Sequence, residues 1–195
     1  MFIELTDHLR CPSDHEEQFL VLLPDRTEDR SIRSGQLGCP VCGRIFHLAD
    51  GVFDTGNAPS PQDHGGALTA DAIGALAGLH GPGGYLVLAG APGGLSREIA
   101  ARFPGVALVA VNPPPDVADA GLLSVIRSGT LPLKSRSMRG VVLGTPFGGD
   151  ARWVRDAARV VLPGLRVVGE GADPPGETVE LMASAEGVWV GTPRR

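Results

Sequence analysis

Short apolar runs alternate with segments of helical character along most of this chain, between residues 68 and 169. Such alternation predicts β-strands separated by α-helices, and therefore a mostly parallel, doubly wound sheet. Two further apolar runs, 179–183 and 188–190, are separated by a short polar turn and predict an antiparallel hairpin. The predicted fold class is therefore α/β, with a parallel sheet that ends in a C-terminal antiparallel hairpin. The runs predicted as parallel strands are 85–89, 107–111, 124–126, 140–143 and 166–169.

The segments between these runs carry the start and stop signals of helices. Turn-forming residues and prolines follow them, and polar residues that can cap a helix precede them. The predicted helices are 68–79, with Thr69 or Asp71 near its start, 93–103, a short helix from Asp116, and 150–161, which Pro163 and Gly164 are expected to end.

A stretch rich in turn-forming residues divides the chain near residue 60. Residues 57–66 contain two prolines and two glycines and have no apolar periodicity, so they predict a linker. This division gives a small module of residues 1–56 and an α/β domain of residues 67–195. In the module, residues 19–23 and 44–48 are predicted as short strands, and the polar residues 25–38 as their connection.

The negative charge of the chain is concentrated in residues 1–56. This part holds ten Asp and Glu against five Arg, a balance of −5, whereas the remainder has twelve residues of each sign. A chain without a basic face is not expected to bind nucleic acid, because phosphates must be neutralised by Lys and Arg.

No apolar run is long enough for a transmembrane segment, and residues 1–5 lack the basic start of a secretory signal, so a cytoplasmic protein is expected.

Three cysteines, two of them spaced Cys-x-x-Cys, indicate a metal site in a reducing compartment. Residues 39–44 read Cys-Pro-Val-Cys-Gly-Arg, a zinc-knuckle sequence in which two thiolates can hold one metal ion. With Cys11-Pro12 and the turn at 48–52, this sequence resembles the small zinc-ribbon family of methyltransferase activators over roughly residues 5–56. The resemblance implies a fourth cysteine where Asp14 stands, with His15 beside it. Either Cys11, Asp14, Cys39 and Cys42 hold zinc, or the ribbon has lost its metal and is held by a small apolar core.

A strand that runs into a glycine-rich turn, residues 86–94, reads Leu-Val-Leu-Ala-Gly-Ala-Pro-Gly-Gly. Further matching segments are Arg-Phe-Pro at 102–104, Thr-Leu-Pro-Leu at 130–133 and Ala-Arg-Val-Val-Leu-Pro-Gly at 158–164. Over about residues 67–191 the chain therefore resembles the class I S-adenosylmethionine-dependent methyltransferases. The resemblance implies a Rossmann-like methyltransferase sheet, in which Gly90, Gly93, Gly94 and Asn112 hold the cofactor if the domain is active.

Several positions depart from the pattern of that family. Leu88 stands where an acid precedes the glycines, Pro92 replaces the middle glycine, and Asn112 replaces the acid that takes the ribose hydroxyls. Arg127 and Arg139 occupy two further positions where acids are expected. Because losing two or three hydrogen bonds to a charged group removes roughly 3–9 kcal/mol, S-adenosylmethionine is not expected to bind productively.

The leading hypothesis is a non-catalytic, methyltransferase-like protein that acts as a structural or interaction subunit of a larger assembly, soluble or membrane-bound. The main alternative is an active S-adenosylmethionine-dependent methyltransferase with an atypical pocket. A third hypothesis is a small anion bound at Gly93 and Gly94 by helix N-terminal amides. Other protein subunits are the expected partners. Arg152, Arg155 and Arg159 share a predicted helix face, and form either a docking surface for an acidic partner or solvated pairs with Asp150 and Asp156.

Overall fold

The computed structural model describes residues 1–60 and 66–194, and the strands of these residues form one eleven-stranded sheet. The helices are α1 (Ala70–Ala77), α2 (Ser96–Arg102) and α3 (Ala151–Val160), and short 3₁₀ helices span Ile3–His8, Ala91–Leu95 and Phe147–Gly149. The strands are β1 (Val21–Glu28), β2 (Ser31–Gly38), β3 (Ile45–Ala49), β4 (Val52–Asp54), β5 (Tyr85–Ala89), β6 (Ala107–Val111), β7 (Leu123–Arg127), β8 (Met138–Leu143), β9 (Val161–Glu170), β10 (Val179–Ala185) and β11 (Val188–Pro193).

The order of the strands in the sheet is β1-β2-β3-β4-β7-β6-β5-β8-β9-β11-β10. The central strands β7-β6-β5-β8-β9 are parallel, and their order corresponds to the 3-2-1-4-5 arrangement of doubly wound folds. Strand β11 lies antiparallel to β9, and β10 lies antiparallel to β11. The predicted Rossmann-like α/β class, with a mostly parallel sheet and a C-terminal antiparallel hairpin, is therefore confirmed.

Local signals in the sequence explain where the helices begin. Thr69 is the N-cap of α1, and its hydroxyl accepts a hydrogen bond from the Ala72 N–H at 3.2 Å. Gly78 ends this helix in the left-handed conformation, with φ at 67°. Asp150 caps α3 in the same way, since its carboxylate accepts from the Arg152 N–H at 2.8 Å.

The predicted connection over residues 25–38 is wrong, because these residues form most of the β1–β2 hairpin. Strand β1 lies at the edge of the sheet, so its polar side chains remain exposed. The register shifts on both sides of Arg26, between Pro24 and Thr27. Such bulges break the alternation of apolar and polar residues by which a strand is predicted.

One predicted helix is absent from the described residues, and the predicted stop of another lies in a strand. The chain forms no helix at Asp116 within the described residues 112–122. Three prolines precede this position and favour extended backbone, and only seven residues remain before β7. Pro163 and Gly164 do not follow the end of α3 as a turn, since both lie within β9, which begins at Val161.

Each face of the sheet packs into its own apolar cluster. On one face, α1 and α2 contribute Ile73 and Ile99, which pack with Leu86, Leu88 and Leu108 of β5 and β6. On the other face, α3 and the N-terminal residues share the cover of the same strands. This second cluster contains Met1, Leu5 and Leu9 together with Val87, Val109, Val141, Val154 and Trp153. The N-terminal segment therefore takes a place that helices occupy in doubly wound folds.

Strand β4 joins the N-terminal strands to the parallel sheet. It pairs parallel with β7, with Phe53 opposite Ile126 and Asp54 opposite Arg127. Phe53 is completely buried at this junction. An ion pair supports it from the side, because the Arg33 guanidinium lies 2.9 Å from the carboxylate of the buried Asp119. The first 56 residues therefore share both a sheet and a core with the rest of the chain.

The division into residues 1–56, 57–66 and 67–195 remains a prediction. Residues 61–65 of the predicted linker, and Arg195, lie outside the described residues. Within the described part, the helices are all too short or too polar to cross a membrane.

Trp189 is the largest side chain that the C-terminal hairpin places in the core. It is completely buried, and its indole N–H donates to the Gly148 carbonyl at 3.2 Å. The ring lies directly over Gly169, where a Cβ atom would come within 2.2 Å of it. The hairpin is therefore fixed to β9 by an aromatic ring that only a glycine can accommodate.

We expect Trp189→Ala to lower the free energy of unfolding by about 3–5 kcal/mol, because it leaves a large cavity and an unpaired carbonyl. Chemical denaturation followed by circular dichroism measures this change. Met182→Ala is the control, since Met182 lies on β10 and is 54% exposed. A loss below about 1 kcal/mol for Trp189→Ala would contradict the placement of the hairpin in the core.

Candidate functional site

The knuckle at residues 39–44 follows directly on β2. The Cys39 N–H donates to the Arg44 carbonyl at 2.9 Å, and the Gly43 N–H donates to the Cys39 carbonyl at 3.0 Å. Gly43 has φ at 69°, a conformation that side chains rarely adopt and that the tight turn requires. The turn brings the Cys39 and Cys42 thiols together beside the loop at residues 11–15.

Four side chains meet there with the geometry of a metal site. The ligand atoms of Cys11, His15, Cys39 and Cys42 all lie within 4.8 Å of one another. The Sγ atoms of Cys11 and Cys42 are 3.8 Å apart, and the Cys39 Sγ is 3.5 Å from the His15 Nε2. Tetrahedral zinc with bonds of about 2.1–2.3 Å requires ligand pairs about 3.5–3.8 Å apart. The group can therefore bind zinc through three sulfurs and one nitrogen.

His15, rather than Asp14, is the fourth member of this group, so the predicted ligand set of Cys11, Asp14, Cys39 and Cys42 is corrected at one position. Asp14 is exposed at the tip of the loop. The His15 Nδ1 lies 2.7 Å from the Glu16 carbonyl, a contact that makes Nδ1 the protonated nitrogen and leaves the Nε2 lone pair towards the thiols.

The electrostatics of the knuckle favour a thiolate. Donation by the Arg44 backbone N–H lowers the pKa of Cys42 to about 6, with smaller contributions from Cys39, His15 and Ser13. Burial instead raises the pKa of Cys11. Since thiolates are the form of cysteine that binds metals, Cys42 is prepared for a metal ion at neutral pH.

Two neighbouring substitutions distinguish His15 from Asp14 as the ligand. We expect His15→Ala to weaken zinc binding by roughly 100-fold or more, whereas Asp14→Ala retains about one equivalent of zinc. Cys39→Ser should release the metal and destabilise the ribbon. Elemental analysis measures the zinc content of each variant. Competition with a chromophoric chelator measures its affinity for zinc. Equal losses in the two alanine variants, or a freshly purified, unchelated protein without metal, would refute this ligand set.

The second site lies at the carboxyl ends of β5 and β6, where doubly wound folds bind their ligands. The glycine-rich turn follows β5 directly, and two of its three glycines are in close contact with other side chains. A Cβ atom on Gly90 would lie 2.9 Å from the Phe147 ring, and one on Gly93 would lie 2.7 Å from Pro113. Gly94 is less crowded, with Pro114 at 3.6 Å from such an atom. Protein side chains therefore pack against this turn where a ligand would approach it.

Pro92 occupies this corner by packing on Gly144, the residue that follows β8. A Cβ atom on Gly144 would come within 2.4 Å of the proline ring and 3.1 Å of the Ala89 carbonyl. Pro92 is itself buried. The proline in the turn and the glycine opposite it are thus complementary in shape.

We expect Gly144→Ala to destabilise the fold by about 1–3 kcal/mol, because the added methyl group has to displace Pro92. Gly149→Ala is the matched control, since nothing lies within 4 Å of a Cβ atom there. Thermal or chemical unfolding compares the two variants. Equal stabilities would show that the corner is loosely packed.

Asn112 is engaged within the protein. Its side-chain amide donates to the Ser128 carbonyl at 2.7 Å, and its carbonyl oxygen accepts from the Ser128 N–H at 2.9 Å. These two bonds hold the backbone of Asn112 at φ of 49° and join β6 to the segment after β7. Asn112 thus acts as a clamp between neighbouring strands, and a ligand would have to break this clamp to use the side chain.

The space that remains at this corner is small. A cavity of about 80 Å³ lies between the segment 59–60, Gly90, Asn112, Arg127 and the segment 145–147. Sites for drug-sized ligands measure about 300–1,000 Å³. Leu88, at the position expected for an acid, is completely buried in the core. Within the described residues, the corner is therefore filled by the chain's own side chains.

Arg139, at a position where the resemblance implies an acid near the cofactor, does not face this corner. Its guanidinium donates to the carbonyls of His80, Gly81 and Gly83, all in the loop before β5. This loop lies at the amino ends of the strands, opposite the glycine-rich turn. Arg139 therefore caps free carbonyl groups, and only Arg127 of the two arginines borders the cavity.

The three arginines of α3 have different surroundings. Arg159 is half-buried and donates to the carbonyls of Leu131 and Leu133, besides its ion pair with Asp156. Arg152 is exposed and pairs with Asp150, its N-cap neighbour. Arg155 is exposed, and no carboxylate of the described residues forms an ion pair with it. The predicted partner-binding face is thus mostly engaged within the chain.

Comparison with known proteins gives matches only among solved structures. Neither a family model nor a curated protein sequence matches the chain. A chain of the complex that contains the Haloferax volcanii Trm112 methyltransferase activator is 19% identical, with a TM-score of 0.41, over 51% of this chain and 50% of that one. CalO1, a methyltransferase of calicheamicin biosynthesis in its SAH-bound form, is 17% identical, with a TM-score of 0.45, over 63% and 52%.

The pyocyanin biosynthetic protein PhzM is 15% identical, with a TM-score of 0.43, over 65% of this chain and 55% of that one. The chain spans about half the length of the structures that it matches. The assignment of its fold class therefore rests on its own strand order and register.

Proposed function

We propose that this protein is a non-catalytic, methyltransferase-like protein that acts as a structural or interaction subunit of a larger assembly. The observation that carries the proposal is the filled corner at the ends of β5 and β6. There Phe147 and Pro113 lie against the glycine-rich turn, Pro92 of the turn packs on Gly144, and the remaining cavity is about 80 Å³. A domain that keeps the sheet but has no room for a ligand at this corner can still act through its outer surface, by binding other proteins.

The chemistry of the corner supports the same proposal. S-adenosylmethionine carries a sulfonium and an ammonium group, which carboxylates bind well and arginines repel. Leu88 and Asn112 replace acids here, and Arg127 borders the cavity. CalO1 has SAH bound and so gives no support for a loss of cofactor binding, and the proposal depends on the residues of this chain alone.

The N-terminal ribbon has a structural role in this proposal. Zinc held by Cys11, His15, Cys39 and Cys42 would fix the knuckle and the loop at residues 11–15 as one unit. That unit carries β3 and β4, and β4 is the strand that pairs with β7. The predicted module of residues 1–56, linker of 57–66 and domain of 67–195 would thus act together in recruiting other protein subunits.

An active methyltransferase with an atypical pocket is the alternative that the experiment must separate from this proposal. We expect S-adenosylmethionine and S-adenosylhomocysteine to cause neither heat of binding in calorimetric titration nor a rise in melting temperature. A ligand that binds only the folded state must raise the melting temperature once it exceeds its dissociation constant. A micromolar dissociation constant, corresponding to about −8 kcal/mol, would restore the methyltransferase hypothesis.

A further inference from the structure

An apolar surface lies on the outer side of the ribbon strands. Phe19, Val21 and Leu23 follow one another at every second position and are 51%, 45% and 66% exposed, and Ile45 of β3 is 58% exposed. The intervening Leu20 is buried, and Leu22 packs against the core. Alternate side chains of a strand point to opposite faces. We call the surface formed by Phe19, Val21, Leu23, Gly38 and Ile45 the outer ribbon face.

The register of the strands makes this surface continuous and gives it a trough. Val21 lies opposite Gly38, and Gly38 lies opposite Ile45, so the three residues form one row across β1, β2 and β3. A Cβ atom on Gly38 would meet nothing within 4 Å. Val21 and Ile45 stand two strand spacings apart, about 10 Å, with open space between them. The width of this trough suits side chains from a partner.

The neighbouring row contains no charged side chain on these three strands. Leu23 lies opposite Gln36, and Gln36 lies opposite His47. Contiguous exposed apolar surface on a soluble protein marks an interaction site. The edge of β1 is less suited to pairing with another strand, since Pro24 removes a donor and the register shifts on both sides of Arg26. The face of the strands, rather than their edge, is the surface available for a partner.

The layering of the sheet indicates what covers this surface. On the same side of the sheet, α1 and α2 pack over β5, β6, β8 and β9. The loop at residues 112–122 and α2 border a cavity of about 460 Å³ beside β6 and the start of β7. Over β1 to β3 the described chain supplies no helix. The helical layer that protects the rest of this side thus stops before the outer ribbon face.

The charge around the surface indicates the chemistry of its partner. The ribbon carries a balance of −5 over residues 1–56. Four of its five arginines are already paired, Arg10 with Glu17, Arg26 with Glu28, Arg30 with Glu4, and Arg33 with Glu28 and Asp119. Asp25 and Asp54, which border the apolar rows, form no ion pair among the described residues. Two unpaired carboxylates thus border the apolar surface, and Arg44, next to Ile45, is the one arginine of residues 1–56 for which the described residues supply no carboxylate partner.

We propose that the outer ribbon face binds an amphipathic helix of a partner protein, whose apolar stripe is flanked by Lys and Arg. Such a helix completes the interrupted helical layer, places leucine-sized side chains in the trough at Gly38, and brings its basic flanks to Asp25 and Asp54. This inference rests on the proposed function as an interaction subunit and names the surface and the partner. A second copy of the chain fits less well, because two ribbons of −5 would repel each other.

A model helix tests the proposal directly. The probe is a fluorescein-labelled peptide of about 18 residues with Leu at positions i, i+3, i+4 and i+7 and Lys elsewhere. Its control is the same peptide with Glu in place of Lys. Fluorescence anisotropy is measured on the full chain, and we expect the Lys peptide to bind at least about tenfold more tightly than the Glu peptide.

Two charge-matched variants locate the binding surface. Gly38→Glu places a carboxylate in open space, so it leaves the fold intact but puts a charge under the docked helix. Leu181→Glu makes the same charge change on β10, where Leu181 is 43% exposed. We expect Gly38→Glu to weaken binding of the Lys peptide at least about tenfold, whereas Leu181→Glu leaves it within about twofold.

Several outcomes would overturn the inference. These are equal binding of the two peptides, equal effects of the two variants, or no binding by the folded wild type. Sedimentation that shows a dimer which Gly38→Glu dissociates would assign the face to a second copy instead. The cofactor titration is an independent measurement, so binding of S-adenosylmethionine with an intact helix site would contradict only the non-catalytic role.

Discussion

The parallel pairing of β4 with β7 is the contact on which the rest of the structure depends. Only three residue pairs form it, from Val52 opposite Val125 to Asp54 opposite Arg127. Without it, β7 would be an exposed edge of a parallel sheet, and such sheets are stable only when both faces are covered. The same junction places Met1, Leu5 and Leu9 over the central strands. The ribbon thus closes both an edge and a face of the α/β domain.

Covering that face with the ribbon removes the need for helices after β6 and β7. The described chain makes both connections without a helix, through residues 112–122 and 128–137. The first of these connections also delivers Pro113 to the glycine-rich turn, and Asn112 is clamped to Ser128 across the start of the second. The filled corner at the ends of β5 and β6 and the ribbon are therefore parts of one arrangement, since short connections that follow the sheet closely bring their own side chains into this corner.

The sequence allowed accurate prediction where burial is uniform. Strands β5 and β6 were predicted at their observed bounds, because almost every residue in them is buried and glycines follow or precede them. The β1–β2 hairpin could not be predicted, because its bulges and edge exposure remove the alternation that signals a strand. Likewise, Cys39 and Cys42 follow from their spacing, whereas His15 replaces Asp14 as the neighbour of Cys39 through a loop conformation that spacing does not specify. For Arg139, the resemblance gives a position along a strand but not the end of the sheet towards which the side chain extends. The side chain lies at the amino ends of the strands, where it donates to the Gly83 carbonyl.

The distribution of exposed apolar residues follows from the way the two parts are joined. The ribbon strands form a sheet with two faces. The inner face packs against the α/β domain through Leu37, Phe46 and Leu48. The outer face keeps Phe19, Val21, Leu23 and Ile45 at positions where polar residues would be expected on a solvated surface. Replacing these side chains with polar ones would not disturb the junction with β7, since they lie on the opposite side of the strands. Their apolar character is therefore not required by the junction with β7, and the proposed contact with a partner helix accounts for it.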